Sequence, residues 1–114
     1  MKKDCVFCQI IKKKLPAEIE YEDKDVIAFK DINPQAPVHI LIVPKKHIPS
    51  LNEFKDKDFH LISKMFKIAQ KLAQKKGIQE GYQLHLNVGK KAGQVVFHFH
   101  LHLMGGWKNK CPKK

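Results

Sequence analysis

The chain has 114 residues, 43% apolar and 29% charged, which suits one domain around one core and excludes a disordered chain or a two-domain one. Twenty-two basic residues against eleven acidic ones leave a formal net charge of +11, yet every basic residue is lysine. Without the planar guanidinium fork that clamps phosphates and reads guanine edges, the charge argues for solubility and attraction of a small anion rather than dedicated nucleic-acid readout.

The start of the chain carries lysines rather than the apolar core of a signal peptide, and the longest unbroken apolar run, 40–43, is far short of a membrane span. The expectation is a cytoplasmic protein. Three cysteines are too few and of the wrong parity for a disulfide framework. Two form Cys5-Val6-Phe7-Cys8, a spacing that reads as metal or redox, and Cys111 is left in the tail. One such pair supplies only half the ligands of a structural zinc site.

In chain order, 6–13 reads as a short amphipathic helix with Phe7, Ile10 and Ile11 on one side, stopped before Pro16. Residues 18–22 and 26–30 read as a hairpin around Asp23-Lys24-Asp25, and 33–37 as a proline-bearing loop. The apolar density of 38–44 predicts a central strand buried on both faces. Residues 56–76 predict a helix of about 31 Å, with Asp56 as N-cap and Gly77 beyond its end. At about 100° per residue, Phe59, Leu61, Ile62, Met65, Phe66, Ile68, Ala69, Leu72 and Ala73 cover half the cylinder, with Lys57, Lys64, Lys67, Lys71 and Lys75 opposite. That arc is wider than one sheet requires and points to a partner as well. Residues 82–88 alternate as a strand, Gly89 to Gly93 turn the chain, and 95–104 read as the last strand. The expected class is α+β: a five-stranded antiparallel sheet, a short N-terminal helix and one long helix, all in a single domain, 1–114.

In the last segment, strand periodicity sends His98, His100 and His102 to one face and Phe97, Phe99, Leu101 and Leu103 to the other. Three imidazoles in a row, backed by an apolar face, call for a metal or an anionic ligand. Gly89, Gly93, Gly105 and Gly106, with Lys90 and Lys91 nearby, suit an anion.

The run His98-Phe99-His100-Leu101-His102-Leu103-Met104 resembles the histidine-triad motif of the HIT family of nucleotide-binding proteins. Other segments match in order: 4–11, 29–39, 43–47, Asn87-Val88-Gly89 and Gly93-Gln94. The resemblance covers roughly 4–107, leaving a short lysine-rich tail, and lies closest to the nucleoside phosphoramidase branch and its bacterial relatives. It implies a hydrolase that cleaves nucleoside phosphoramidates or nucleotide anhydrides and esters at the α-phosphate through a nucleotidyl-histidine intermediate. By resemblance His100 is the nucleophile, with His102, Asn87 and the main chain at Gln94 and Val95 holding the phosphoryl oxygens and His39 supporting the triad. The base would lie against Val6, Phe7, Ile10, Phe29 and Ile32, and Asp31 would take the ribose hydroxyls.

The resemblance also implies a structural zinc on Cys5, Cys8, His47 and His98, and a homodimer. Together with the wide apolar arc, it puts Leu61, Met65, Ile68 and Leu72 at the two-fold axis. His85 is expected beside Asn87 on the site face, and His60 in solvent. Val95 departs from the pattern, since this branch carries a serine there. The missing hydroxyl leaves a second reading open, a zinc-stabilised nucleotide-binding module with little or no catalysis. A basic nucleic-acid adaptor is a third and weaker reading.

Overall fold

Asp23 organises the first turn. Its carboxylate accepts the backbone N–H groups of Asp25 and Val26 at 2.8 and 2.9 Å, closing the hairpin between β1 (Ile19–Glu22) and β2 (Val26–Lys30). The Tyr21 hydroxyl donates to the same carboxylate at 2.6 Å, and the Lys64 ammonium lies 3.0 Å away, tying the hairpin to the long helix. The structure is a computed structural model that describes residues 4–110; Cys111 and the terminal Lys2, Lys3, Lys113 and Lys114 lie outside the described residues.

The remaining elements are α1 (Val6–Ile11), β3 (Val38–Pro44), α2 (His60–Lys75), β4 (Tyr82–His85) and β5 (Leu101–Gly105), with short 3-10 turns before α2 and at Lys90–Ala92. The five strands form one antiparallel sheet in the order β1-β2-β3-β5-β4. The expected fold class is therefore observed, with β3 at the centre as its apolar density requires.

Period-two alternation divides the sheet between two cores. Val26, Ala28, Ile40, Ile42, Leu101 and Leu103 face α2, where Met65, Ile68, Ala69, Leu72 and Ala73 cover them. Ile27, Phe29, Leu41 and Val43 face the other way and pack with Cys5, Phe7, Cys8 and Ile10 around α1. A residue between two core positions of β3 or β5 is thereby delivered to the α1 side, where the candidate site lies.

Several expectations change. The long helix starts at His60, not Asp56: residues 56–58 form a 3-10 turn, and the Asp58 carboxylate accepts the Lys55 N–H at 3.0 Å. Its other end is as expected, since Gly77 has φ +71° and the N–H groups of Gly77 and Ile78 reach back to the Gln74 and Ala73 carbonyls. Leu61, Met65, Ile68 and Leu72 are not at an outer edge. They are 1–5% exposed, with Met65, Ile68 and Leu72 built into the protein's own core, whereas Phe59 and Phe66 are 47% and 46% exposed. The reason is the sheet itself, which occupies the middle of the arc and leaves its flank for any partner.

The strand expected over 82–88 ends at His85. The one expected over 95–104 begins only at Leu101, so His98 and His100 precede β5 in irregular chain. Pairing stops there because β5 meets β3 only as far as Ile42 and β4 only as far as His85. The approach to β5 is held instead by the Phe99 N–H on the Ile48 carbonyl at 2.7 Å. Phe99 keeps its place in the α2 core, but Phe97 is 46% exposed rather than packed.

Candidate active site and metal centre

The loss of regular strand before Leu101 separates the three histidines into different environments. His98 is completely buried, and its Nε2–H donates to the Pro44 carbonyl at 2.7 Å. That bond assigns the proton to Nε2 and leaves Nδ1 with a bare lone pair. Around this Nδ1 stand the Cys5 sulfur at 3.3 Å, the Cys8 sulfur at 3.6 Å and His47 Nδ1 at 3.1 Å, with Cys8 and His47 themselves 3.3 Å apart. A tetrahedral ion with nitrogen and sulfur ligands has ligand–ligand edges of roughly 3.3 to 3.8 Å. The four donors therefore fit around one metal ion, and all four come from the positions expected by resemblance. Cys5 is also the N-cap of α1, its sulfur accepting the Cys8 N–H at 3.3 Å, so the turn that starts the helix pre-shapes the pair. Burial pushes the Cys5 thiol above its ordinary range, and a cation between the sulfurs is what would favour thiolates there.

The second constellation is a chain of imidazoles. The Gln35 N–H donates to His39 Nδ1 at 3.0 Å, which places the His39 proton on Nε2. His39 Nε2–H then donates to His102 Nδ1 at 2.9 Å, with an Asp31 carboxylate oxygen 3.5 Å from the same nitrogen. The His102 proton is consequently on Nε2. In His100 the order is reversed: Nδ1–H donates to the His98 carbonyl at 2.7 Å and Nε2 keeps its lone pair. The ring centroids of His100 and His102 are 5.0 Å apart, and Phe7 packs edge-on against His100 at the same distance. One imidazole thus offers a nucleophilic nitrogen beside another that offers a donor.

Asp31, His39 and His102 also lie close enough to suggest a metal site. The backbone argues against it: with Nδ1 accepting from Gln35, His39 would have to surrender its remaining proton to ligate through Nε2. A proton-ordering chain accounts for the same distances without that cost.

Burial holds all of these rings neutral. It lowers His39 and His100 below the ordinary histidine value, with the Asp31 carboxylate opposing the shift in both. His98 is pushed down to about 4 by burial, against the bond to Pro44. His102 falls to about 3 through burial first and then its neighbours His100, His85 and His39. An unfolded histidine titrates near 6.5, so below that pH the unfolded chain binds protons that folded His39 and His102 refuse. Stability from these two residues is complete above that pH and lost as pH falls toward 3. Urea midpoints are expected to drop steadily over this range, with a shallower slope in His102→Asn. An equal slope in that variant would exclude His102 as a source.

Comparison with known proteins decides the affiliation. A family model described as "Scavenger mRNA decapping enzyme C-term binding" matches residues 4–112. An uncharacterized HIT-like protein of Synechocystis sp. is 44% identical over 106 residues, 93% of this chain and 93% of its own length. Protein HitA of Neisseria gonorrhoeae is 42% identical over 102 residues, 90% of this chain and 95% of its own. A HIT family hydrolase from Clostridium thermocellum superposes with a TM-score of 0.93 at 49% identity, covering 99% of this chain and 98% of the other. The chain belongs to the histidine-triad (HIT) family. A histidine triad protein from Clostridium difficile is similar over 99% of both chains, at 40% identity and a TM-score of 0.92.

The other residues expected from the HIT resemblance are distributed unevenly. Phe7, Ile10 and Phe29 are buried together in the α1-side core, with Phe7 and Phe29 rings in edge contact at 5.5 Å. Val6 is 47%, Ile32 86% and Val95 84% exposed, so these three present apolar surface to solvent. Asp31 accepts the Asn33 N–H at 2.8 Å through one oxygen and faces His39 with the other. Asn87 stands in irregular chain just beyond β4, with its amide beside Gly93, where an added Cβ would come within 3.8 Å.

The Gln94 side chain is only 3% exposed and clips the loop shut. It accepts the Gly89 N–H and donates to the Pro49 and Val96 carbonyls, so both ends of its amide are engaged with main chain. His60 Nδ1–H donates to the Lys57 carbonyl, away from the site. Sequence reasoning missed the roles of Gln35, Pro44 and the His98 carbonyl, because a backbone group in a hydrogen bond leaves no signature in residue type.

Proposed function

We propose that this HIT protein is a hydrolase of nucleoside phosphoramidates or nucleotide anhydrides and esters, acting at the α-phosphate and releasing a nucleoside monophosphate. The observation that carries the reading is the pair of opposite tautomers, a bare nitrogen on His100 beside a protonated one on His102. His100 Nε2 attacks phosphorus, the bond to the leaving group breaks, and the leaving group takes up a proton from solvent, which the attacking water of the second step returns. Water then attacks the nucleotidyl-histidine, the phosphorus–nitrogen bond breaks, and His100 is restored with its lone pair. His102 Nε2–H, Asn87 and the main chain at Gln94 and Val95 stabilise charge on the phosphoryl oxygens. His39 keeps the His102 proton on the correct nitrogen. Asp31 takes the ribose hydroxyls, and Val6, Phe7, Ile10, Phe29 and Ile32 form the base side of the site.

The test is a quench during turnover with a nucleoside phosphoramidate and, separately, a dinucleoside polyphosphate, followed by mass spectrometry of the peptide containing His100. A nucleoside monophosphate adduct on that peptide is expected. Steady hydrolysis with no adduct would reject the covalent route. The second reading, a nucleotide-binding module with little or no catalysis, is favoured by Val95, which puts no hydroxyl where the leaving group would need one. Tight nucleotide binding without turnover on any substrate would establish it.

Zinc suits the Cys5, Cys8, His47 and His98 donor set, two thiols and two imidazoles in a tetrahedral spacing. When bound it would pin three chain segments together and take no part in the chemistry. A cytoplasmic setting, where thiols stay reduced, suits such a site, and no helix among the described residues is long and apolar enough to cross a membrane.

For the homodimer that the resemblance implies, we propose a surface other than the buried face of α2. Ile62 and Phe66 of α2 with Tyr82 and Leu84 of β4 line a shallow groove of about 520 Å³, and β4 ends the sheet order. Phe66→Asp is expected to give a folded monomer by light scattering. Met65→Asp, one residue away but 1% exposed, is expected to cost upwards of about 4 kcal/mol and yield unfolded protein. A Phe66→Asp variant that remains dimeric would move the interface elsewhere.

A further inference from the structure

His102 is surrounded by rings, and one of them has no part in the mechanism above. His85 is the last residue of β4, directly opposite His102 in the β4–β5 register. The two imidazoles are stacked, with centroids 4.5 Å apart and planes 15° from parallel, the flattest of the ring contacts His102 makes. Leu84 packs against the α2 core and sends its neighbour His85 to the site face, so the placement follows from strand alternation.

What this stack can do follows from how His102 is otherwise held. Beyond its covalent link through Cγ, the ring of His102 is held by the hydrogen bond from His39, which fixes Nδ1 as an acceptor. One hydrogen bond tolerates some tilt of the ring, and Nε2, which lies across the ring from Cγ, is held less closely than the bonded Nδ1. A second flat ring lying against its face removes that tilt at little entropic cost, because both rings sit on paired strands. His39 from β3, His100 from the approach to β5, and Asp31 from the loop after β2 occupy other sides of the cluster and do not duplicate the stack.

We propose that His85 is a positioning residue for the reaction: by stacking on His102 it holds the ring so that Nε2–H points steadily at the phosphoryl oxygen. It touches neither phosphorus nor the leaving group. The inference rests on the hydrolase reading for its kinetic consequence, but not for the geometry.

The experiment compares His85→Ala, His85→Leu and His85→Phe by steady-state kinetics. Long-range proton–nitrogen correlation spectra of the nitrogen-labelled imidazoles at neutral pH supply a second readout. Ala and Leu remove the flat partner and are expected to lower kcat by about 10- to 100-fold while leaving KM within about twofold, because the contact is lost where charge develops rather than where the nucleotide binds. In both, the His102 pattern of a single tautomer is expected to broaden or average. Phe keeps a flat ring and is expected to restore kcat to within about threefold of wild type, with the single-tautomer pattern intact.

Leu serves as the control for folding, since it fills the space that Ala vacates. Ala and Leu variants with wild-type kcat and an unchanged His102 spectrum would overturn the proposal. So would a Phe variant as impaired as Ala, because stacking would then not be what matters. If wild-type protein turns over no substrate, the hydrolase reading fails by that result alone, and the spectra of the three variants still decide whether His85 orders His102.

Discussion

Replacing His100 by alanine is expected to reduce turnover by at least about a thousandfold while nucleotide affinity changes by less than about tenfold. The split follows from where each free-energy contribution arises. In the proposed mechanism binding draws on Asp31, the apolar residues around α1 and the phosphate donors, none of which passes through the His100 ring. In that mechanism chemistry depends on the bare Nε2 of His100, and removing it forces water to attack phosphorus directly. The neighbouring imidazole cannot substitute, because His102 Nδ1 already accepts from His39 and its Nε2 carries the proton. The measurement is a substrate titration with single-turnover kinetics, alongside calorimetric binding of the nucleoside monophosphate. Hydrolysis undiminished in His100→Ala would remove this residue from the mechanism. A parallel collapse of affinity and turnover would instead mean that the ring mainly shapes the pocket, for example through its edge contact with Phe7 at 5.0 Å.

Cys8→Ser is expected to abolish metal binding and lower Tm by roughly 10 °C or more, on the basis that a structural site couples its binding free energy to folding. Cys8 is 1% exposed and approaches both His47 and His98, so its loss removes a ligand and leaves a buried hydroxyl among groups arranged for a cation. The site joins α1, the loop after β3 and the approach to β5, and the last of these carries His100. Wild-type protein never exposed to chelator is expected to contain about one zinc per chain by atomic emission. A chelator should be able to strip it, because Cys5 and His47 line a surface groove of about 450 Å³ together with Val6, Val95 and Phe97. Hydrogen exchange should then accelerate in α1 well before it does in β3. Metal-free wild-type protein, or a Cys8→Ser variant with unchanged Tm, would show that the four side chains are held together by their own hydrogen bonds.

Much of this protein was legible in its residues because so much of it is periodic. The apolar density of β3, the alternation of β4 and β5 and the apolar stripe of α2 each depend only on local geometry, and together they specify an antiparallel sheet with one helical layer against it. The triad and the cysteine pair are contiguous in sequence and so announced the site directly. The tertiary structure decided matters in which the partner is remote. That β5 starts at Leu101 depends on where β3 and β4 stop, and this irregular approach lets His98 turn toward Cys5, Cys8 and His47 while His100 stays beside His102. Which part of the α2 arc is left uncovered depends on where the sheet lies against it, a fact of packing that moved the expected partner face from Met65 to Phe66. The tautomers of His39, His98 and His100 are set by Gln35, Pro44 and the His98 carbonyl. Those are main-chain groups, identical at almost every position along a chain, and only folding determines which of them meets which ring.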